Sequence, residues 1–437
     1  MRVEELALLV QHYAAPMDQA VAYSALLVTV SLAVIRPRFT ASIRFTPGTA
    51  ALLGVLVLLT ARLLTPHMMV QAWSIQWRPL VTLTSIMILT GVVHEVGAFE
   101  RLAARIEAFA RTRRATATFS LVFVLALVTP SLLNNDAAIL ILTPLVVATT
   151  RRLYPGRPDV TLAFAFVVFL APGVAPFIVS NPMNMIVAEY AGLKFNTYAA
   201  VMVPLSLVGA GLTYLVLRLI YRTTLRSAVA ATASPTRMHR HAGERPAVIL
   251  MLAVFFAYPI AAALDIDIWM VAVAGALASL VICHGYRIAP LRKATTHVSV
   301  DILLFLWGIF LVVQGLRSVG VVDQLHALYS TGTGAAQVAT IGVASAAGSA
   351  LIDNHPMSIL NMLAIDVSHG PRPLLAALVG GDIGPRLLPI GSLAGLLWID
   401  LLRRSGLHVG VTRFVRVGTL VLLPTLVVSL VMLWLIA

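Results

Sequence analysis

The chain has 437 residues, of which 59% are hydrophobic and only 11% charged, far from the roughly 25% charged residues of a soluble domain. That composition describes a polytopic helical membrane protein. The formal charge of +13 does not point to nucleic acid, because arginines scattered between apolar spans report topology, and a single cysteine, Cys283, excludes a disulfide framework or a thiolate metal cage.

No cleavable signal peptide is expected, since Arg2-Val3-Glu4-Glu5 is acidic as well as basic and no small-residue cleavage site follows a short core. Apolar segments from Met17 to Ile35, Thr46 to Leu64 and Leu80 to Val96 read as three spans. Ala98 to Ala115 reads as an arginine-rich amphipathic helix with Phe99, Leu102, Ile106 and Phe109 on one face, suited to the membrane surface. The run from Ala117 to Thr149 is apolar except at its centre, where Asn134, Asn135 and Asp136 stand together. Its arms, about thirteen residues each, are shorter than the roughly 20 that cross a bilayer, so the pattern predicts a re-entrant hairpin over 117–149. Polar groups at such a tip are tolerated only when buried in protein or lining a wet cavity, which makes the tip a candidate site.

Spans from Thr161 to Tyr190 and Tyr198 to Tyr221 follow, and the polar, basic segment Arg222 to Arg245, with Pro235, reads as a linker. The second half offers spans near Pro246 to Leu264, Ile268 to Cys283 and Val298 to Leu316. A second hairpin over 335–368 follows, with Asp353, Asn354 and His355 at its tip, then spans from Leu374 to Leu402 and Val415 to Ala437. The predicted fold is all-α and polytopic: two repeats, 1–221 and 246–437, of five transmembrane helices and one hairpin each, joined by linker 222–245. An odd number of crossings per half inverts the second copy, the plan of many secondary transporters. Locally, Val96-Gly97-Ala98-Phe99-Glu100-Arg101-Leu102 matches Val319-Gly320-Val321-Val322-Asp323-Gln324-Leu325 at an offset of 223, and Asn134 and Asn354 nearly keep it. On this topology 24 of the 31 Lys and Arg fall on the linker side, which is then cytoplasmic, with both termini outside and both hairpin tips near the midplane.

Two spans carry breaks. Pro172, Gly173, Pro176 and Pro182 interrupt the first, and Pro385, Pro389 and Gly391 the second. Half-helix ends freed there present oriented dipoles to a ligand. An elevator-like unit of both hairpins and the last two spans of each half is expected to carry this site past a scaffold formed by the other six.

The stretches Asn135-Asp136-Ala137-Ala138-Ile139-Leu140-Ile141-Leu142-Thr143-Pro144, Ile178-Val179-Ser180-Asn181 and Val201-Met202-Val203-Pro204 carry a resemblance to a known family. So does Asp382-Ile383-Gly384-Pro385-Arg386 through Pro389-Ile390-Gly391-Ser392-Leu393 to Leu397-Trp398. From about Trp73 onward the chain resembles the ArsB family of arsenite efflux permeases, within a wider ion transporter superfamily that includes dicarboxylate carriers and sodium/proton antiporters. The resemblance implies export of arsenite and antimonite across the inner membrane of a prokaryote in exchange for protons, sometimes with a cytosolic ATPase subunit and with no cofactor. The chain departs from the family pattern at Asp353-Asn354-His355-Pro356, where two asparagines, methionine and proline are usual, at Asn134, usually a small residue, and at Pro172-Gly173, where an acidic residue can occur.

Arsenous acid is a small neutral trihydroxide, so its site needs hydroxyl and amide partners rather than charge. Asn134, Asn135, Ser180, Asn181, Asn354 and Ser392 supply them, with Asp136, Asp353, His355 and Asp382 completing the candidate binding set. Proton coupling is expected on Asp136 and Asp382 with His355 as modulator, and Arg386, one turn after Asp382, as a structural ion-pair partner. The runner-up within transporters is a sodium/proton or anion antiporter. The runner-up enzyme is an intramembrane aspartyl protease built on Asp353 and Asp382, although Gly380-Gly381-Asp382 is one glycine short of that pattern. His94-Glu95 lacks the second histidine of a zinc protease motif, and His239 and His241 read as solvated. Neither Lys194 nor Lys293 sits in a phosphate loop, and Glu189, Asp366 and Asp400, near span ends, are expected to be hydrated or paired.

Overall fold

The computed structural model describes residues 16–37, 45–231, 241–368 and 370–437. Residues 2–5, Pro235 and His239, on which the readings of the N-terminus and of the linker partly rest, lie outside them. The helices of the first half are α1 (Pro16–Ile35), α2 (Pro47–Thr60), α3 (Pro66–Glu95), α4 (Ala98–Thr112), α5 (Ala115–Leu133), α6 (Asn135–Leu153), α7 (Pro158–Leu170), α8 (Pro182–Tyr190), α9 (Phe195–Ile220) and the short α10 (Arg222–Arg226). The second half supplies α11 (Glu244–Ala263), α12 (Ile268–Gly285), α13 (Leu291–Thr295), α14 (Val300–Ser318), α15 (Val321–Tyr329), α16 (Gly334–Ile352), α17 (Asn354–Ala364), α18 (Arg372–Ile383), α19 (Leu393–Arg404) and α20 (Val411–Ile436). No strand occurs among the described residues. By length and composition eight of their helices can cross a membrane, or nine if α3 and α4, bent by 58°, count as one span.

Helix starts follow local chemistry. Pro47 and Pro66 occupy first-turn positions whose missing N–H costs nothing, behind Thr46 and Thr65, whose hydroxyls accept from Thr49 N and Met68 N. The third helix begins 14 residues before the predicted Leu80, because its first turns, with Gln71, Ser74 and Gln76, lack the hydropathy that marks a span but not the propensity to be helical. Gly97 and Gly320, at φ 80° and 85°, take left-handed conformations that part α3 from α4 and α14 from α15. On α4 Phe99 and Ile106 are buried and Phe109 is exposed, with the helix packed on α3, α5 and α6.

Both arms of the first polar turn are longer than expected. Helices α5 and α6 have 19 residues each, not thirteen, since backbone hydrogen bonding continues through Thr149, Thr150, Arg151 and Arg152 after hydropathy fades. At 1.5 Å per residue each reaches about 28 Å, so arm length does not separate a hairpin from a pair of crossings. The beginning of the predicted linker is also less free than its polarity suggested: α10 buries Leu225, and Ala231 N donates to Leu153 O at 2.8 Å.

Two packing groups emerge, each drawing on both halves of the chain. In one, α2 lies on α1 and α14, and α3 on α12, which also packs on α11. The α2–α14 contact depends on small residues: a Cβ on Gly308 would stand 2.8 Å from that of Ala51, and one on Gly315 would stand 2.6 Å from Leu58. In the other group α9 packs on α20, α16 on α18, and α6 on α7 and α19. Trp398, fully buried on α19, donates Nε1–H to Ala165 O of α7 at 3.0 Å and stacks on Phe169.

Candidate functional site

Asn134 and Asp353 make the two polar turns. Each holds an extended backbone at positive φ, 91° with ψ 162° and 77° with ψ 147°, a region that residues other than glycine enter only under strain. Each side chain folds back to cap the next helix, Asn134 Oδ1 accepting from Ala137 N at 3.0 Å and Asp353 Oδ1 from His355 N at 2.9 Å. By capping role Asn134 corresponds to Asp353, and the residues that follow to Asn135 with Asn354 and Asp136 with His355, one residue from the pairing of Asn134 with Asn354 by sequence offset.

Consequently the tip residues divide. Asn135 and Asn354 reach a central cavity, whereas Asp136, Asp353 and His355 lie outside its lining. His355 Nδ1 stands 2.5 Å from Asp353 Oδ1, with its ring edge-on to Phe305, and both lie within electrostatic reach of Asp136. Asp136 is 6% exposed, and its carboxylate accepts no hydrogen bond among the described residues.

The cavity opens where two helices fail. Helix α7 stops at Leu170 and the chain resumes as helix at Pro182, after a 3-10 turn at Ile178–Ser180. Helix α18 stops at Ile383, followed by 3-10 turns at Gly384–Arg386 and Pro389–Gly391. Asn181 and Ser392 are counterparts here. Both have extended backbones, and both cap the following helix, accepting from Met183 N and Gly395 N at 3.0 Å. Pro172, Gly173, Pro176, Ser180 and Pro385 also line the cavity. Pro389 and Gly391 do not; a Cβ at Gly391 would stand 2.8 Å from Pro385 Cα, so its role is close approach of backbones.

Asp382 ties the second break to the first. Its Oδ2 accepts from Ala175 N at 2.8 Å and Asn184 Nδ2 at 3.2 Å, and its Oδ1 from Asn181 Nδ2 at 2.8 Å. Tyr198 OH, itself receiving Asn184 Nδ2 at 2.6 Å, donates to Ala175 O at 2.9 Å. The expected ion pair between Asp382 and Arg386 is absent. Arg386, 3% exposed, donates Nη2–H to Leu170 O at 2.8 Å and Pro172 O at 3.1 Å, and Nη1–H to Thr425 Oγ1 at 3.1 Å and Thr213 Oγ1 at 3.4 Å. Carbonyls at the end of α7 have lost their helical donors and carry the negative end of its dipole, so they draw the cation that sequence spacing had given to the carboxylate.

Three buried polar atoms on residues lining the cavity have no partner among the described residues: Arg386 Nε, Asn354 Oδ1 and Ser180 Oγ. They are a donor, an acceptor and a group that can do either. The cavity itself holds about 40 Å³. Asn184 and Tyr198 were missed from the sequence, as were Thr213 and Thr425. Asn184 sits three residues after Asn181 on one helix face and could have been found by that spacing. Thr213 and Thr425 lie singly in apolar spans, and Tyr198 stands among the polar residues that open α9, so none of the three gives such a signal. Asp353 and Asp382 share no hydrogen-bonding partner, unlike the aspartate pair of an aspartyl protease, which shares a proton. At the span ends, Glu189 pairs with Arg78 at 3.1 Å and Asp400 with Arg404 at 2.6 Å, while Asp366 accepts from Ser368.

The family described as "Arsenical pump membrane protein" (ArsB) matches residues 21–437. The arsenical pump membrane protein of Escherichia coli (strain K12) is 30% identical over 397 residues, 88% of this chain and 92% of that protein. The protein of the same name from Yersinia enterocolitica is 29% identical over 378 residues, 82% and 86% of the two chains. An uncharacterised transporter of Mycobacterium tuberculosis is 29% identical over 430 residues, 93% and 98%. Among solved structures, the YdaH transporter of Alcanivorax borkumensis has the same fold, with a TM-score of 0.58 over 96% of this chain and 97% of that one at 15% identity. A family match across nearly the whole length, carried on a multi-pass helical fold shared with a transporter, makes this chain a member of the ArsB, or arsenical pump membrane protein, family.

Proposed function

We propose that the protein is a secondary active transporter that exports arsenite, and antimonite, from the cytoplasm in exchange for protons. The observation that carries this reading is the set of unpartnered atoms, Arg386 Nε, Asn354 Oδ1 and Ser180 Oγ, around one small cavity. A buried polar atom without a partner costs about 1–3 kcal/mol. A trihydroxide whose O–H groups both donate and accept relieves all three at once. The volume of about 40 Å³ exceeds the roughly 10–15 Å³ that a single water needs, so it suits a solute of a few heavy atoms and not a helical peptide.

Coupling in this scheme rests chiefly on Asp136. Asp382 accepts from three donors that tie the two breaks together, so a proton taken up there competes with those bonds. Asp136 has no such donors and faces the His355–Asp353 pair, so it is the group that can bind a proton when substrate is absent. His355 modulates that step.

The halves 1–221 and 246–437 are inverted repeats in this reading, with hairpins over 117–149 and 335–368. The matching positive-φ residues, Gly97 with Gly320 and Asn134 with Asp353, support it. Helices α5–α9 and α16–α20 form the moving unit, and α1–α3, α11, α12 and α14 the scaffold, consistent with the two packing groups. The protein sits in the cytoplasmic membrane with linker 222–245 inside and both termini outside. A cytosolic ATPase subunit, if one associates, engages the linker side.

Everted membrane vesicles test the proposal. Arsenite uptake should follow an imposed proton gradient, acid inside, and should not depend on sodium. Uptake no greater than in vesicles lacking the protein, or uptake that requires sodium, would defeat it.

A further inference from the structure

On the first packing group, away from the cavity, His94 and Glu95 close α3, and His297 lies just before α14. One ligand atom from each lies within 4.8 Å of the others. Glu95 Oε1 stands 2.9 Å from His297 Nε2, and the rings of His94 and His297 meet edge to face at 5.0 Å. Gly91, one turn before Glu95, leaves room for His297: a Cβ there would stand 2.9 Å from the histidine's own Cβ.

We propose that His94, Glu95 and His297 form a binding site for a divalent transition metal, zinc by donor type, separate from the substrate cavity. Two imidazoles and one carboxylate are a three-ligand zinc set that leaves a fourth position for water. A simple ion-pair hub on Glu95 would account for Lys293 and His297 but not for His94, whose Nδ1 is buried without a partner among the described residues. Lys293 Nζ, 2.7 Å from Glu95 Oε2, holds the second carboxylate oxygen, so Oε1 alone is presented to the ion and the lysine serves as an outer-shell partner. Ligands about 2.0–2.1 Å from a tetrahedral ion stand about 3.3 Å apart, so the Glu95–His297 edge has to open by about half an ångström, within side-chain movement. The second histidine that His94-Glu95 lacks in sequence arrives 202 residues after Glu95. The ion would thus join the two halves of the chain where α3 ends.

The test uses the full-length, tag-free protein in detergent, stripped with a chelator. Zinc chloride is titrated by calorimetry, and cobalt(II) by visible absorption, which reports tetrahedral nitrogen and oxygen coordination independently of transport. One zinc per chain is expected. Binding should be lost in His94→Ala and in His297→Ala, and kept in the double variant His239→Ala/His241→Ala. His94→Gln and His297→Gln, closer in size, should lose it too, with size-exclusion profiles matching the parent. No saturable zinc binding, binding that survives both histidine substitutions, or loss in the His239/His241 variant would overturn the site.

Discussion

Gly173→Ala adds one methyl group and should disable transport in a chain that still folds. The new Cβ would stand 2.7 Å from Arg386 Nη2, and ordinary contact begins at 3.4 Å, so the guanidinium has to retreat by about 0.7 Å. Both carbonyls that Nη2 serves, Leu170 O at 2.8 Å and Pro172 O at 3.1 Å, belong to the same turn as Gly173. Moving away from the methyl therefore lengthens both bonds, past the roughly 3.2 Å at which good N–H···O geometry ends. Hydrogen bonds to a charged group contribute about 1.5–3 kcal/mol each, and losing two costs about 3–6 kcal/mol before relaxation. Even half of the lower figure corresponds to more than a tenfold change in a step that needs Arg386 in place. Gly211→Ala in α9 is the control: nothing lies within 4 Å of its Cβ, and alanine gains about 1 kcal/mol in helix propensity. Initial rates of arsenite uptake into everted vesicles, normalised to protein, should fall at least tenfold in the first variant and stay within about twofold in the second. A wild-type rate in Gly173→Ala would show that the clamp on the first break is dispensable and refute the reasoning.

Asp136→Asn should abolish uphill, proton-driven accumulation while leaving downhill arsenite exchange, and undiminished accumulation would move coupling elsewhere. Asn184→Ala removes one of three donors to Asp382 together with a partner of Tyr198 OH, and should raise the KM for arsenite about tenfold, read from the concentration dependence of uptake. In the loop between α11 and α12, a hydrogen bond from Lys194 holds the Asp265 carboxyl below its usual range. That contact is complete above the ordinary carboxylate value and lost only as pH falls through the lowered one, so the pH profile of Asp265→Asn between about pH 6 and pH 8 should have the parent's midpoint; a shifted midpoint would contradict this. A reporter active only in the cytoplasm should be bright at Ser234 and dark at the C-terminus, and the reverse would invert the orientation.

Composition and periodicity alone determined that the chain is a bundle of membrane helices, and proline and glycine spacing located the interruptions after Leu170 and Ile383. Those features are local: they depend on backbone donors, dihedral limits and the energy of burying apolar side chains, all of which neighbouring residues set. Arm length was less legible, since the helices continue into Thr149-Thr150-Arg151-Arg152, where hydropathy falls but hydrogen bonding does not. What the sequence could not decide was partnership. Arg386 stands one turn from Asp382, yet it serves carbonyls more than 200 residues away, because a helix broken in a low-dielectric interior leaves acceptors that need a buried donor. The division of the tip into a capping residue, a cavity-facing amide and an outlying titratable group likewise followed from backbone register. Which side chains meet was settled by packing between the two halves, a property of the tertiary structure that no single segment contains.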